Sequence, residues 1–316
     1  MSILEIQNLN LAFWSNDRYY QALYDINLTL NQGEMLALVG ESGCGKTMTA
    51  MSVLRLLPAN AKILSGKILY NGQNLLDLKE SSLSKIRGKE IALVPQDPMT
   101  SLNPLFSIGS QLIEVIETHQ GVKGKEAEKI AIEVLDLVKI PNAKERLKSY
   151  PHEFSGGMRQ RVIIAMAIAC KSKIIIADEP TTALDVTVQA QIMELLKEIQ
   201  KEFLTSFLFI SHDFGLVYEA ADTASVMYAG RIVEKSLAKG LFEFPKHPYT
   251  KALLKTLPDF KSKKLEAILG QPPSIKDEFL GCSFAPRCSE KISICEKEVP
   301  PCISIKNSCC SCWLYK

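Results

Sequence analysis

A chain of 316 residues, 47% apolar and 23% charged, has ordinary globular composition and enough material for one large domain with an appendage. A net charge of +2 gives no electrostatic case for nucleic acid as the main partner. The opening "MSILEIQNLNLAF" lacks a basic leader and a small-residue cleavage site, and the longest apolar runs, residues 162–170 and 174–177, fall short of the roughly 18 residues of a membrane helix. The chain is therefore expected to be soluble and cytosolic.

In chain order, "LEIQNLNLAF" and "ALYDINLTL" alternate apolar and polar residues, which predicts two strands. "EMLALVG" predicts a short buried strand that ends in glycine and enters a helix after Lys46. Helical spacing follows at "SIGSQLIEVIETHQ", at "EAEKIAIEVLDLVKI" and over residues 155–170. "KIIIADEP" predicts another buried strand, "VTVQAQIMELLKEIQKEF" an amphipathic helix, and "SFLFISH" a third buried strand. Strands alternating with helices of this length predict an α/β fold with a parallel sheet wrapped by helices. The pattern loosens near Phe242, which places a domain boundary around residues 235–245: residues 1–240 form one domain and 241–316 an extension.

"GESGCGKT", residues 40–47, fits G-x-x-x-x-G-K-[ST] between a strand and a helix. Its glycines let successive backbone N–H groups cradle a β-phosphate, and the helix N-terminus adds partial positive charge. Gly40, Ser42, Gly43, Gly45, Lys46 and Thr47 are the candidate nucleotide contacts, with Lys46 on the β- and γ-phosphates and Thr47 on Mg²⁺. "KIIIADEP" delivers Asp178 and Glu179 at the carboxyl end of a buried strand, where ligands bind in open α/β sheets. Asp178 suits Mg²⁺, and Glu179 suits the attacking water. Ser155, Gly156 and Gly157 open a helix and make either a second anion site or a plain N-cap with glycines for close packing.

Together these residues resemble the nucleotide-binding subunit of ABC transporters over residues 3 to about 240. "GESGCGKT" resembles the Walker A loop, "VPQDP" the Q-loop with Gln96, and "FSGGMRQ" the ABC signature. "IIIADEP" resembles Walker B, "TALD" the D-loop ending at Asp185, and "SHD" the switch with His212. The resemblance implies a P-loop ATPase domain: a RecA-like parallel sheet, an antiparallel β subdomain and a helical subdomain carrying the signature. It implies ATP and Mg²⁺ as cofactors, with Thr47, Gln96 and Asp178 around the metal. It also implies Glu179 activating water, His212 on the γ-phosphate, and ATP sandwiched between Walker A of one subunit and the signature of another. An aromatic of "LAFWSN" would stack on adenine, Phe13 matching best and Trp14 as the alternative. Phe154 and Met158 depart from the usual signature; Arg159 and Gln160 remain as its polar neighbours.

With no membrane segment of its own, the chain would need two separate membrane permease subunits, a second ATPase subunit (identical or sister) and, indirectly, an extracytoplasmic solute-binding protein. It would then sit peripherally on the cytoplasmic face of the inner membrane. "RGKEIALVPQDPMTSLNPLFSIG", "FPKHPYTKALL" and "GQPPSIKDEFLGCSFAPRC" resemble the ATPases of peptide and nickel importers. A soluble ABC ATPase acting on ribosomes or DNA is the competing class, but the span between Lys46 and Ser155 is too short for the long coiled-coil insertion of such proteins.

Seven of the nine cysteines lie between Cys282 and Cys312. In a reducing compartment such a cluster reads as a metal site sooner than a disulfide framework. The resemblance makes Cys282, Cys288, Cys295 and Cys312 the candidate ligands of a [4Fe–4S] cluster or Zn²⁺, with buried structural thiols as the plain alternative. Cys302, Cys309 and Cys310 are expected to be spectators, although Cys310 could replace Cys312. Cys44, inside the phosphate loop, reads as a small filler.

Overall fold

The computed structural model describes residues 1–182, 184–256, 268–306 and 308–316. Ala183 of "TALD" and residues 257–260, beyond the "FPKHPYTKALL" stretch, lie outside the described residues. The chain forms two compact units, residues 1–77 with 211–316, and residues 78–210.

The first unit begins with β1 (Ser2–Ser15) and β2 (Arg18–Asn31), joined by a tight turn at Asn16 and Asp17. Both turn residues have positive φ (48° and 59°), as a two-residue hairpin whose twist matches its strands requires. β3 (Met35–Val39) is buried at every residue and leads into α1 (Lys46–Leu54). β4 (Ala61–Tyr70) and β5 (Gln73–Asn74) complete an antiparallel sheet of order β2-β1-β4-β5. Alternation along β1, shifted by one residue at an irregularity between Ile6 and Leu9, sends Leu4, Ile6, Leu9 and Leu11 into the core.

The second unit carries α2 (Glu80–Ile86), β6 (Ile91–Val94), α3 (Pro98–Ser101), α4 (Ile108–Gln120), α5 (Lys125–Leu137), α6 (Ala143–Arg146), α7 (Gly156–Ala169), β7 (Ile174–Asp178), α8 (Val186–Phe203) and β8 (Ser206–Ser211). β6, β7 and β8 pair in parallel. Their continuous apolar runs reflect helical cover on both faces. α5 ends three residues earlier than its periodicity predicts, because Lys139 turns left-handed at φ 61°.

The chain then returns to the first unit with α9 (Phe214–Ala220), β9 (Thr223–Tyr228), β10 (Arg231–Leu237), α10 (Ala238–Glu243) and α11 (Pro248–Lys255). β3 pairs in parallel with β9, and β9 antiparallel with β10. The loosened sequence pattern near Phe242 therefore covers two helices: Pro248 occupies the first turn of α11, where a missing N–H costs nothing. In the extension, β11 (Ile303–Ile305) and β12 (Ser308–Cys310) form a short antiparallel pair, and β12 continues onto β10 through Glu234–Cys310 and Lys235–Cys309. The cysteine-rich segment is thus tied in by sheet pairing as well as by its linker.

Candidate functional site

The phosphate loop joins β3 to α1. Gly45 caps α1 at φ 112°, a conformation closed to side-chain-bearing residues. Gly40 meets a harder limit, since a Cβ there would lie 2.2 Å from the Met227 carbonyl oxygen. Gly40→Ala is expected to cost about 2–4 kcal/mol, because backbone, not a flexible side-chain end, must move. A thermal melt without nucleotide reads this as a lowered Tm, and an unchanged Tm would contradict it.

Lys46 is 4% exposed, and its Nζ donates to the Gly40 and Glu41 carbonyls at 2.9 and 3.1 Å. The ammonium is thereby held over the loop it would share with a phosphate. Burial pushes the Cys44 thiol up to about 11, so it stays protonated and packs as the filler its position suggested.

Phe13 and Trp14 both lie within β1, not in the turn that follows it, and alternation separates them. Phe13 lines a cavity of about 140 Å³ with Tyr24, Gly43, Gly45, Met48 and Phe279. Trp14 instead packs edge-on against Tyr19 at 4.8 Å. A larger cavity, about 670 Å³, is lined by Tyr24, Arg231, Glu234, Cys282 and Cys302 among others, and by none of the nucleotide candidates. His212 is exposed just after β8; Asp213 beside it caps α9 by accepting the Gly215 and Leu216 N–H groups at 2.8 and 3.2 Å.

In the second unit, Asp178 ends β7 and is 2% exposed. A carboxylate buried this deeply suits a cation. Glu179 follows at φ 46°, a left-handed backbone rare outside glycine, and its N–H donates to the Ile210 carbonyl at 3.0 Å. That turn re-aims its side chain, and Oε2 accepts from Gln96 Nε2 (3.2 Å) and the Thr182 hydroxyl (2.9 Å). The structure thus brings together Gln96 and Glu179, which lie far apart in sequence.

Ser155 Oγ accepts the Met158 N–H at 3.3 Å and caps α7, while a Cβ on Gly157 would lie 2.6 Å from Val188 Cγ1. The plain N-cap and close-packing roles are therefore filled, while Ser155 and Gly156 remain exposed. Asp185 likewise caps α8 through the Val188 N–H at 3.0 Å. α7 turns Gln160, a polar neighbour of Met158, inward to 0% exposure, with neither amide atom hydrogen-bonded.

Cys282, Cys288, Cys295 and Cys312 line one small cavity, about 10 Å³, with His247 and Trp313. Cys310 does not line it; it is buried on β12. Burial, then the neighbouring Cys295 and Cys312, pushes the Cys282 thiol up to about 11. Burial also raises Cys288 and Cys312. The four residues line one cavity, but its volume is about that of one water. Among the described residues no three His, Cys, Asp or Glu side chains form a group ready to hold a metal ion. Cys302 and Cys309 lie outside this cavity and pair with each other, their Cα atoms 5.9 Å apart. Beside the cavity, His247 is 1% exposed and accepts the Tyr249 N–H on Nδ1 at 3.0 Å. Burial lowers it to about 4, so it is neutral at pH 7.

Two contacts to the phosphate loop had no local signal in the sequence. The Tyr249 hydroxyl accepts the Glu41 N–H, and Arg287 pairs with the Glu41 carboxylate, across 208 and 246 residues of chain. Only tertiary structure joins them.

The family model for ABC transporters matches residues 23–182. This chain belongs to the ABC transporter family. It is therefore an ABC ATPase. A second family model, the oligopeptide/dipeptide transporter C-terminal region, matches residues 233–295 of this ATPase. It is 45% identical over 316 residues to the dipeptide transport ATP-binding protein DppD of Bacillus subtilis, covering 99% of this chain and 94% of that one. It is 47% identical over 300 residues to the oligopeptide transport ATP-binding protein OppD of Salmonella typhimurium, covering 94% and 89%. A dimeric ATP-binding cassette in a post-hydrolysis state, bound to ADP and Pi, superposes with a TM-score of 0.67 at 27% identity, covering 74% of this ATPase and 98% of that chain. A cassette from Clostridium perfringens, part of the ABC transporter complex cbiONQ, gives 0.67 at 28% identity, covering 77% and 91%. Among the described residues no helix is long and apolar enough to cross a membrane.

Proposed function

We propose that this ABC ATPase powers peptide import through two separate membrane permease subunits, bound peripherally at the cytoplasmic face of the membrane and paired with a second ATPase subunit. A solute-binding protein outside would deliver the cargo. The observation that carries the reading is the match of the extension to the oligopeptide/dipeptide transporter region, joined to relatives named for peptide transport over nearly their full length. Purification from native membranes in mild detergent is expected to recover two membrane permeases and a second ATPase; recovery of ribosomes or DNA alone would overturn it. Cells lacking the chain are expected to lose labelled dipeptide uptake. Loss of nickel uptake with peptide uptake intact would move the cargo to the metal.

For the chemistry, the loop of Gly40, Ser42, Gly43 and Gly45 would cradle the phosphates while Lys46 neutralises them. Phe13, lining the cavity beside Gly43 and Gly45, would stack on the base. Thr47, Gln96 and Asp178 would hold Mg²⁺, which supplies charge neutralisation across the β- and γ-phosphates when bound. Glu179 takes the proton of the attacking water, with Gln96 holding its carboxylate in place. His212 orients the γ-phosphate. Ser155, Gly156 and Gly157 would cover the nucleotide of the partner subunit, and Asp185 would lie at that dimer contact. Positioning and charge stabilisation do nearly all the work of phosphoryl transfer.

In the extension, Cys282, Cys288, Cys295 and Cys312 would hold a [4Fe–4S] cluster, with Zn²⁺ as the alternative. The observation behind this ligand set is that all four cysteines line one cavity. A cluster would act as a structural staple for a short segment. Anaerobically purified protein is expected to contain about four irons per chain, and Cys295→Ser to remove them. One zinc in their place would keep the staple and discard the cluster, and no metal in either protein would leave buried thiols.

A further inference from the structure

The phosphate loop carries a carboxylate, Glu41, where a nucleotide triphosphate would bring several negative charges. Its side chain meets Arg287, which lies in the cysteine-rich segment next to Cys288. Arg287 Nη1 is 2.8 Å from Glu41 Oε2 and Nη2 is 3.1 Å from Oε1, a two-point pair that fixes direction as well as charge. Nη1 also donates to the Tyr228 hydroxyl at 3.3 Å, and Nε to the Leu269 carbonyl at 3.1 Å. The arginine side chain is 6% exposed and the glutamate 22%, so solvent screens the pair little. The backbone of Glu41 is held too. Its N–H donates to the Tyr249 hydroxyl at 3.0 Å, and its carbonyl accepts from Lys46. Tyr249 is fully buried, in ring contact with Tyr228 at 4.5 Å and with Phe284 at 5.3 Å. Phe284 lies two residues beyond Cys282, so one aromatic cluster spans the loop contact and the cysteine segment.

We propose that Arg287 is a positioning residue for nucleotide binding: from the C-terminal extension it neutralises and orients Glu41, so that the extension sets the affinity of the phosphate loop for ATP. This rests on the loop being the ATP site. Without Arg287, an unpaired carboxylate would stand on the loop that takes the phosphates. With Arg287, the same carboxylate is a handle by which the cysteine-rich segment grips the loop.

The test is titration of the full-length chain with a fluorescent ATP analogue and Mg²⁺, with Tm and iron content measured on each protein. Arg287→Ala is expected to weaken binding by about tenfold. The double variant Arg287→Ala with Glu41→Gln is expected to recover most of that loss, since the offending charge is gone. A merely structural role would make the double variant no better. Arg287→Lys, which keeps the charge without the two-point geometry, is expected to fall between and serves if Arg287→Ala does not fold. Wild-type affinity in Arg287→Ala, or no recovery in the double variant, overturns the proposal. A wild-type chain that binds no analogue overturns the nucleotide site and this inference with it, whereas wild-type binding abolished by Lys46→Ala but untouched at Arg287 overturns the inference alone.

Discussion

Glu179→Gln is expected to lower ATP turnover by about 10²–10⁴-fold while ATP affinity stays within severalfold of wild type. The substitution is isosteric, so the amide can occupy the same space between Gln96 and Thr182. What it removes is the basic lone pair that would take the proton of the attacking water. The left-handed backbone at φ 46° points to the same role, since non-glycine residues keep such a conformation where the surrounding structure imposes it. The anchor is visible in the Glu179 N–H bonded to Ile210 on the neighbouring strand. Phosphate release under saturating ATP and Mg²⁺ checks the prediction, and turnover within twofold of wild type would remove Glu179 from the reaction.

Lys46→Ala is expected to weaken ATP binding by about 100-fold or more, a ground-state effect that separates it from Glu179. Lys46 is 4% exposed and its ammonium is aimed back over the loop by two carbonyls. A phosphate entering there gains a charge-assisted bond from a group already desolvated. Alanine leaves the Gly40 and Glu41 carbonyls without that donor and the loop without its cation. Calorimetric titration reads the affinity directly; a wild-type value would place the nucleotide elsewhere.

Much of the candidate site was legible because it is local. In residues 40–47 the strand, the glycines and the helix start are contiguous, and β3 and α1 form where the pattern predicts. The apolar run 174–177 is likewise buried as β7, with Asp178 at its end. Longer-range features were read less well. The burial of Gln160 is set by the phase of α7, which turns this polar residue into the core. The helices α10 and α11 were hidden behind Pro245 and Pro248, although proline is compatible with a first helical turn. The four-cysteine set was identified by resemblance, and its convergence on one cavity depends on turns that carry no periodicity. The three-residue strands of the extension are too short to show alternation, and the Arg287–Glu41 pair joins opposite ends of the chain. Such contacts are set by packing of the whole unit, not by any local window.

The most direct test of the account is labelled-tripeptide accumulation by cells that carry the chain as wild type or as Glu179→Gln at equal abundance. Hydrolysis at this chain, as the source of transport work, predicts accumulation with the wild type and none above background with the variant. Wild-type accumulation by the Glu179→Gln cells would contradict it.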